Sequence, residues 1–119
     1  RGTAASAGYM AAVASDRIFA REGTVTGSIG VLLQSFDASE LLARVGVRPE
    51  ALASGPLKAQ PNPFQPLSPE AREALMRVIS DLHDQFVAKV VAGRGLDEAA
   101  VRAVADGRVL TGRQALERR

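Results

Sequence analysis

Gly23-Thr24-Val25-Thr26-Gly27-Ser28-Ile29-Gly30-Val31-Leu32-Leu33 is a β-branched run punctuated by glycines at 23, 27 and 30. Val, Thr and Ile suit a pleated, half-buried strand, and glycine inside such a run marks a section that another backbone approaches closely. The run therefore reads as a strand with a tight middle. Upstream, Thr3 to Ser15 is small, apolar and alanine-rich, and predicts a closely packed helix starting near Ser6; Arg17-Ile18-Phe19-Ala20 predicts a short strand. Downstream, Asp37 is an N-cap candidate with Glu40 three residues on, Leu41 to Val45 forms a short helix, and Gly46 stops it. Val47 to Ser54 predicts another strand.

Five of the six prolines (56, 61, 63, 66 and 69) fall between Gly55 and Pro69, which predicts an irregular loop. Ser68 then caps the longest helix, with Pro69 at its first position. Leu75, Val78, Ile79, Leu82, Phe86 and Val90 recur at three- and four-residue spacing as one apolar stripe, and Gly93 and Gly95 end the helix. Asp97 caps a helix from Glu98 to Ala105, Arg108-Val109-Leu110 predicts a strand, and Thr111 caps a final helix. Strands alternating with helices predict an α/β layer fold. At 119 residues this is one domain or part of one. The openings at Arg1-Gly2-Thr3 and the ending at Arg118-Arg119 read as cuts from something longer.

Composition narrows the chemistry. Five aromatics (Tyr9, Phe19, Phe36, Phe64, Phe86) and no tryptophan argue against a base-stacking nucleic-acid platform. The net charge of +2, with arginines scattered among acids, implies no anionic partner. Without cysteine there is no disulfide, thiolate metal site or cysteine nucleophile. No run of 18 apolar residues exists to span a membrane. No carboxylate cluster has metal-ligand spacing, and neither a phosphate loop nor a dinucleotide fingerprint occurs, so neither metal nor cofactor is expected.

Lysine is scarce. Thirteen of the 15 basic residues are arginine; only Lys58 and Lys89 are lysine. Lys89, three residues after Phe86, reads as a snorkelling helix-flank residue. Lys58 stands in the proline-stiffened loop between Leu57 and Ala59. Arginine stays protonated, whereas a desolvated lysine can give up its proton and act as a base. A lysine working as a base near neutral pH must be lowered from an ordinary value of about 10.4 by some three units, about 4 kcal/mol. Lys58 is thus either a solvated loop residue or a base. Ser6, in Ala4-Ala5-Ser6-Ala7-Gly8-Tyr9, is either a small packing residue or a nucleophile at a helix start. In the second case the Ala7 backbone N–H is placed to donate to an oxyanion. His83, the only histidine, lies mid-helix at the edge of the apolar stripe and reads as structural. Asp16, Asp37, Asp97 and Asp106 sit at element boundaries, where capping and turn roles explain them.

The ordered set Ala5-Ser6-Ala7-Gly8-Tyr9, Ala14-Ser15-Asp16-Arg17-Ile18, Thr24 to Val31, Ser54-Gly55-Pro56-Leu57-Lys58 and Asp106-Gly107-Arg108-Val109-Leu110-Thr111-Gly112-Arg113-Gln114-Ala115 resembles the signal peptide peptidase A family of serine-lysine proteases. The resemblance runs over the whole chain. It implies a Clp-protease/crotonase-like α/β fold, here without the upstream strands, and a single partial peptidase domain over 1–119. Its parts are the nucleophile motif at 4–9, the lysine loop at 55–69 and C-terminal helices over 69–119. It implies that Ser6 is the nucleophile, Lys58 the general base, and Ser28 the hydroxyl that hydrogen-bonds the lysine amine. The apolar strand around Ile29, Gly30 and Val31 is a candidate wall for substrate side chains. Ala7 stands where many members carry glycine.

The implied substrates are cleaved signal peptides and similar short apolar peptides. The implied assembly is a homo-oligomer whose sites can be shared between protomers. The implied location is the inner membrane, periplasmic side, through an anchor outside this chain. Three rival readings are a phage head-maturation protease of the same clan, an idle oligomeric scaffold, and a crotonase-type acyl-CoA enzyme. The Ser6, Ser28, Lys58 set speaks against the last.

Overall fold

A three-stranded sheet of order β1-β2-β3 organises the part of the molecule that carries both serines. The computed structural model describes residues 2–118; Arg1 and Arg119, the terminal residues read above as cut ends, lie outside the described residues. The elements are β1 Thr3–Ala5, α1 Ala7–Ala12, β2 Val25–Gly27, α2 Ser39–Arg44, α3 Pro69–Arg94, α4 Glu98–Arg102, β3 Val109–Thr111 and α5 Gly112–Leu116. The fold is mixed α/β. It divides into two compact units: residues up to Val31 with those from Ser80 onward, and Leu32–Ile79.

In the first unit β1 pairs parallel to β2 (Thr3↔Val25, Ala4↔Thr26, Ala5↔Gly27), and β2 pairs antiparallel to β3 (Val25↔Thr111, Thr26↔Leu110, Gly27↔Val109). A parallel pair needs a crossover, and α1 with the segment after it supplies one. Beneath lies a core of Val13, Ile29, Phe86, Val87, Val90, Val101 and Ala105, flanked by Tyr9, Met10, Ile18, Val91, Leu96 and Val104. The predicted stripe on α3 is buried at Phe86 and Val90, joined by Val87, whereas Val78 and Leu82 are exposed.

Two glycines of this unit work by close approach. A Cβ on Gly93 would overlap the Val13 carbonyl, and one on Gly112 the Arg21 carbonyl. Gly93 is therefore a packing position within α3, and the left-handed Gly95 (φ +61) follows the helix end. Thr111 caps α5 in a full capping box with Gln114, and the Asp97 side chain accepts from the N–H groups of Ala99 and Ala100 to start α4. That helix closes at Arg102, short of Ala105, and continues as turns.

Several predicted elements differ. The helix begins at Ala7, next to Ser6 as predicted, but Thr3–Ala5 before it is a strand that the sequence did not announce: a small alanine run carries no period of its own, and pairing with β2 decides its state. The strand predicted over 23–33 pairs only at Val25–Gly27, because Gly27 (φ 78) and Ser28 (φ 54) leave the extended conformation in succession. Residues 17–20 and 47–54 form no ladder. Phe19 is 89% exposed, and Pro49 removes a ladder donor from the second stretch.

In the second unit α2 starts at Ser39, with Ala38 at the N-cap position; Asp37 still accepts from the Ser39 N–H at 2.9 Å, one residue further out than predicted. The Ser68 hydroxyl accepts from the Ala71 N–H at 3.1 Å and so caps α3 as predicted. The Ala38 N–H donates to the Pro63 carbonyl, tying the proline-rich loop to the start of α2, and the Ser68 N–H donates to Gln60 Oε1 within the loop. Among the described residues no helix is long and apolar enough to cross a membrane.

Candidate active site

Ser6 is the single residue between β1 and α1. Its backbone (φ 53, ψ −122) lies in a region that L-residues other than glycine avoid, which costs about 1–3 kcal/mol. Two bonds hold it there: its N–H donates to the Gly27 carbonyl at 2.8 Å, and its carbonyl accepts the first helical bond from Met10 N–H at 2.9 Å. The N–H groups of Ala7, Gly8 and Tyr9 therefore stand in the first turn of α1, without intrahelical partners. The Ser6 side chain does not cap the helix and the residue is exposed. A serine on a strained strand-to-helix turn, hydroxyl free and amides ahead of it, has the geometry of a nucleophile elbow.

Ser28 leaves the neighbouring strand in the same way. Ala5 and Gly27 are partners in the parallel ladder, so Ser6 and Ser28 emerge side by side at the C-terminal ends of β1 and β2. Ser28 also has a positive φ of 54, and its N–H donates to the Arg108 carbonyl at 2.7 Å. One residue on, the Ile29 carbonyl accepts from Gly107 N–H at 3.0 Å. A Cβ on Gly27 would stand 3.2 Å from the Arg108 carbonyl oxygen, so this approach favours glycine as well as the φ of 78 does. In α/β sheets, ligands meet the fold outside the carboxyl ends of parallel strands, where these two serines stand.

Ile29 itself is 3% exposed and belongs to the core, so its side chain supports the turn from below and does not line a substrate wall; Gly30 and Val31 are half-buried. Tyr9 packs against the same core, and burial raises its phenol above the ordinary value despite the lowering influence of Arg94, which keeps it protonated. His83 is half-buried and pairs with the Ala105 carbonyl at 2.8 Å through Nε2. Donation to a carbonyl is a structural use of the ring, as the sequence suggested.

Lys58 belongs to the second unit. Its N–H donates to the Gly55 carbonyl at 3.1 Å, closing a turn over Gly55–Lys58, and Gln60 N–H returns to Leu57 at 3.3 Å. Asn62 reaches back to the Ala59 carbonyl and receives the Phe64 N–H at 2.8 Å. The lysine is exposed. The structure thus brings Ser6 and Ser28 together in one unit and places Lys58 on a locally braced loop of the other.

Sequence reasoning missed the brace beside Ser28. Asp106 Oδ1 accepts from Arg108 N–H at 3.1 Å, and the Arg108 guanidinium meets both carboxylate oxygens (Nε at 2.8 and 2.9 Å, Nη2 at 2.5 Å). This holds the Asp106 carboxyl at about 2, below its usual value, through the Arg108 side chain first and its backbone N–H second. The available signal was Asp-Gly-Arg itself, an Asx-type turn followed by a countercharge.

A strained serine at a strand-to-helix turn thus stands beside a second strained serine at the carboxyl ends of two parallel strands of an α/β sheet. Residues 1–119 match peptidase family S49. The chain is 41% identical over 117 residues to a putative signal peptide peptidase SppA of Enterococcus faecium, covering 98% of this chain and 34% of that protein. It is 43% identical over 113 residues to the putative protease slr0021 of Synechocystis sp., covering 95% of this chain and 41% of that one. It is 34% identical over 119 residues to the chloroplastic serine protease SPPA of Arabidopsis thaliana, covering 97% and 17%. The chain belongs to peptidase family S49. It spans between a third and about two fifths of the length of the first two relatives.

Proposed function

We propose that this chain carries the reacting groups of a serine endopeptidase that degrades cleaved signal peptides and similar short apolar peptides. Ser6 is the nucleophile, Lys58 the general base and Ser28 the hydroxyl that orients the lysine amine. The neutral Lys58 amine takes the Ser6 Oγ proton as Oγ bonds to the scissile carbonyl carbon. The Ala7 N–H receives the oxyanion that forms. The Lys58 ammonium then protonates the departing amine as the C–N bond breaks, leaving an ester on Ser6. Water, giving its proton to Lys58, attacks that ester, and Ser6 regains its proton on release.

The observation that supports this reading most is the Ser6 backbone: strain of this size at a non-glycine turn persists where surrounding bonds over-determine it, and such positions cluster at active sites. Because Lys58 is exposed, its desolvation comes from groups it meets in the working assembly, substrate or a second protomer among them. Gly30 and Val31 offer backbone and side chain to the substrate. The scaffold is of the Clp-protease/crotonase type, and the whole protein is a homo-oligomer associated with the inner membrane, this part on its periplasmic side.

The test uses the full-length protein, an apolar fluorogenic peptide and a fluorophosphonate. Wild type labels at Ser6. Lys58→Ala and Lys58→Arg both lose peptidase activity by about 10³-fold or more, arginine failing because it keeps its proton. Equal rates in wild type and Lys58→Arg, or labelling that persists in Ser6→Ala, would sink the proposal.

A further inference from the structure

The Asp106–Arg108 pair poses a question of purpose. Both side chains are about half exposed (51% and 49%), and ion pairs so placed contribute little to stability. Yet the carboxylate is saturated by its neighbour, taking the guanidinium on both oxygens and the Arg108 N–H as well. What this fixes is the backbone of Arg108, whose carbonyl receives the Ser28 N–H at 2.7 Å. Gly107, left-handed at φ 87, turns its N–H to the Ile29 carbonyl at 3.0 Å. The segment is thus gripped at the Ser28 N–H and at the Ile29 carbonyl, on either side of the Ser28–Ile29 peptide group, by one three-residue turn. The turn is anchored at its upstream end, where buried Ala105 offers its carbonyl to His83. On the other side Gly27 receives the Ser6 N–H. The Asp106–Arg108 turn and the Ser6 elbow are consequently the two flanks of the same left-handed Gly27-Ser28 pair.

We infer that Asp106 is a positioning residue for the peptidase reaction: by rigidifying the Asp106–Arg108 turn it fixes where the Ser28 hydroxyl points. This rests on the reading of Ser28 as the group that orients the catalytic lysine. Asp106 touches no reacting atom. Its removal lets the Ser28 turn relax toward ordinary backbone angles and swings the hydroxyl away from the amine it serves. Misplacement by about an ångström costs up to roughly 10²-fold in rate without changing what binds. Two grades of damage follow. Asp106→Asn keeps an Oδ1 acceptor for the Arg108 N–H and loses only the charge pair, whereas Asp106→Ala loses both.

The experiment measures kcat and KM of the full-length protein on the fluorogenic peptide for Ser28→Ala, Asp106→Ala, Asp106→Asn and the double variant Ser28→Ala/Asp106→Ala. Asp106→Ala is expected to lower kcat about tenfold or more with KM within about twofold, and Asp106→Asn to recover most of that loss. The double variant is expected to match Ser28→Ala alone, because a residue that acts through Ser28 has nothing left to position. Losses that multiply in the double variant overturn the inference, as does a folded Asp106→Asn as slow as Asp106→Ala. If Asp106→Ala fails to fold, the Asn variant alone and in combination with Ser28→Ala decides the matter in the same way. Ser6→Ala and Lys58→Ala run beside them. If those two abolish turnover while Asp106→Ala is as fast as wild type, the positioning role fails and the dyad stands. If those two retain turnover, the dyad itself fails.

Discussion

The unit that holds Ser6 and Ser28 and the unit that holds Lys58 are built by different means. In the first, backbone bonds join residues far apart in sequence: Ser6 to Gly27, Ser28 to Arg108, Gly107 to Ile29, Gly112 to Thr24 and Arg113 to Glu22. The contiguous buried core lies wholly in this unit. In the second, bonds around the lysine are local, from Lys58 to Gly55 and from Gln60 to Leu57. Several large apolar side chains there are exposed: Leu32 is 81% exposed, Phe36 71% and Leu52 94%. The groups of the proposed dyad are therefore preorganised to different degrees. The serine pair is held by a sheet, a core and bonds between segments far apart in sequence. The lysine loop keeps its shape by short-range turns and leaves the Lys58 side chain exposed.

The strongest way to break this comparison is a pair of truncations. Phe86 is 1% exposed at the centre of the first unit's core, and Phe86→Ala should cost about 3–5 kcal/mol, seen as a lower denaturant midpoint. Leu52→Ala, at the surface of the second unit, should change stability by no more than about 0.5 kcal/mol. Comparable losses for the two in the full-length protein would mean that the second unit's apolar surface is covered in the working assembly and that its exposure here is a property of the chain alone.

A smaller effect sharpens the account of the first unit. Gly93→Ala would drive a methyl into the Val13 carbonyl, where α3 passes the end of α1. Overpacking of this kind costs about 1–3 kcal/mol, and a shift of α1 would be felt at Ser6, the residue from which that helix starts. Reduced Tm together with slower fluorophosphonate labelling is the expected result. Gly95→Ala meets no atom within 4 Å, so only its φ of +61 is at stake. Equal effects at 93 and 95 would show that close packing is not what Gly93 serves.

Legibility in the sequence followed the range of the interactions. Ser68-Pro69, Asp97 and Thr111 declared their helices because a cap acts over three residues. The Phe86 and Val90 stripe declared the core through a period of 3.6. β1 stayed hidden because Thr3-Ala4-Ala5 has no strand preference, and its partner lies some twenty residues away. The strand predicted to Leu33 stopped at Gly27 because Ser28, a residue type that gives no warning of a positive φ, turns the chain. At the site, Lys58 stood out by scarcity and Ser6 and Ser28 through the ordered motifs. The strain that marks both serines, and the exposure of the lysine, belong to tertiary structure.

The smallest expected effect concerns the brace itself. The Asp106 carboxyl sits at about 2 instead of 3.8, chiefly because the Arg108 guanidinium hydrogen-bonds it. A carboxyl depressed in the folded state binds fewer protons there than in the unfolded chain, so stability falls with pH between the two values. The contribution of Asp106 is therefore complete above about pH 4 and lost as pH drops through about 2. Because the pair is half exposed, the effect is small and weakens with salt. Its signature is a difference in Tm between wild type and Asp106→Asn that is constant near neutrality and shrinks on acidification to pH 2. A difference that stays flat over that range would detach the carboxylate from the turn it is said to hold, and with it the contrast between a braced serine pair and a locally held lysine.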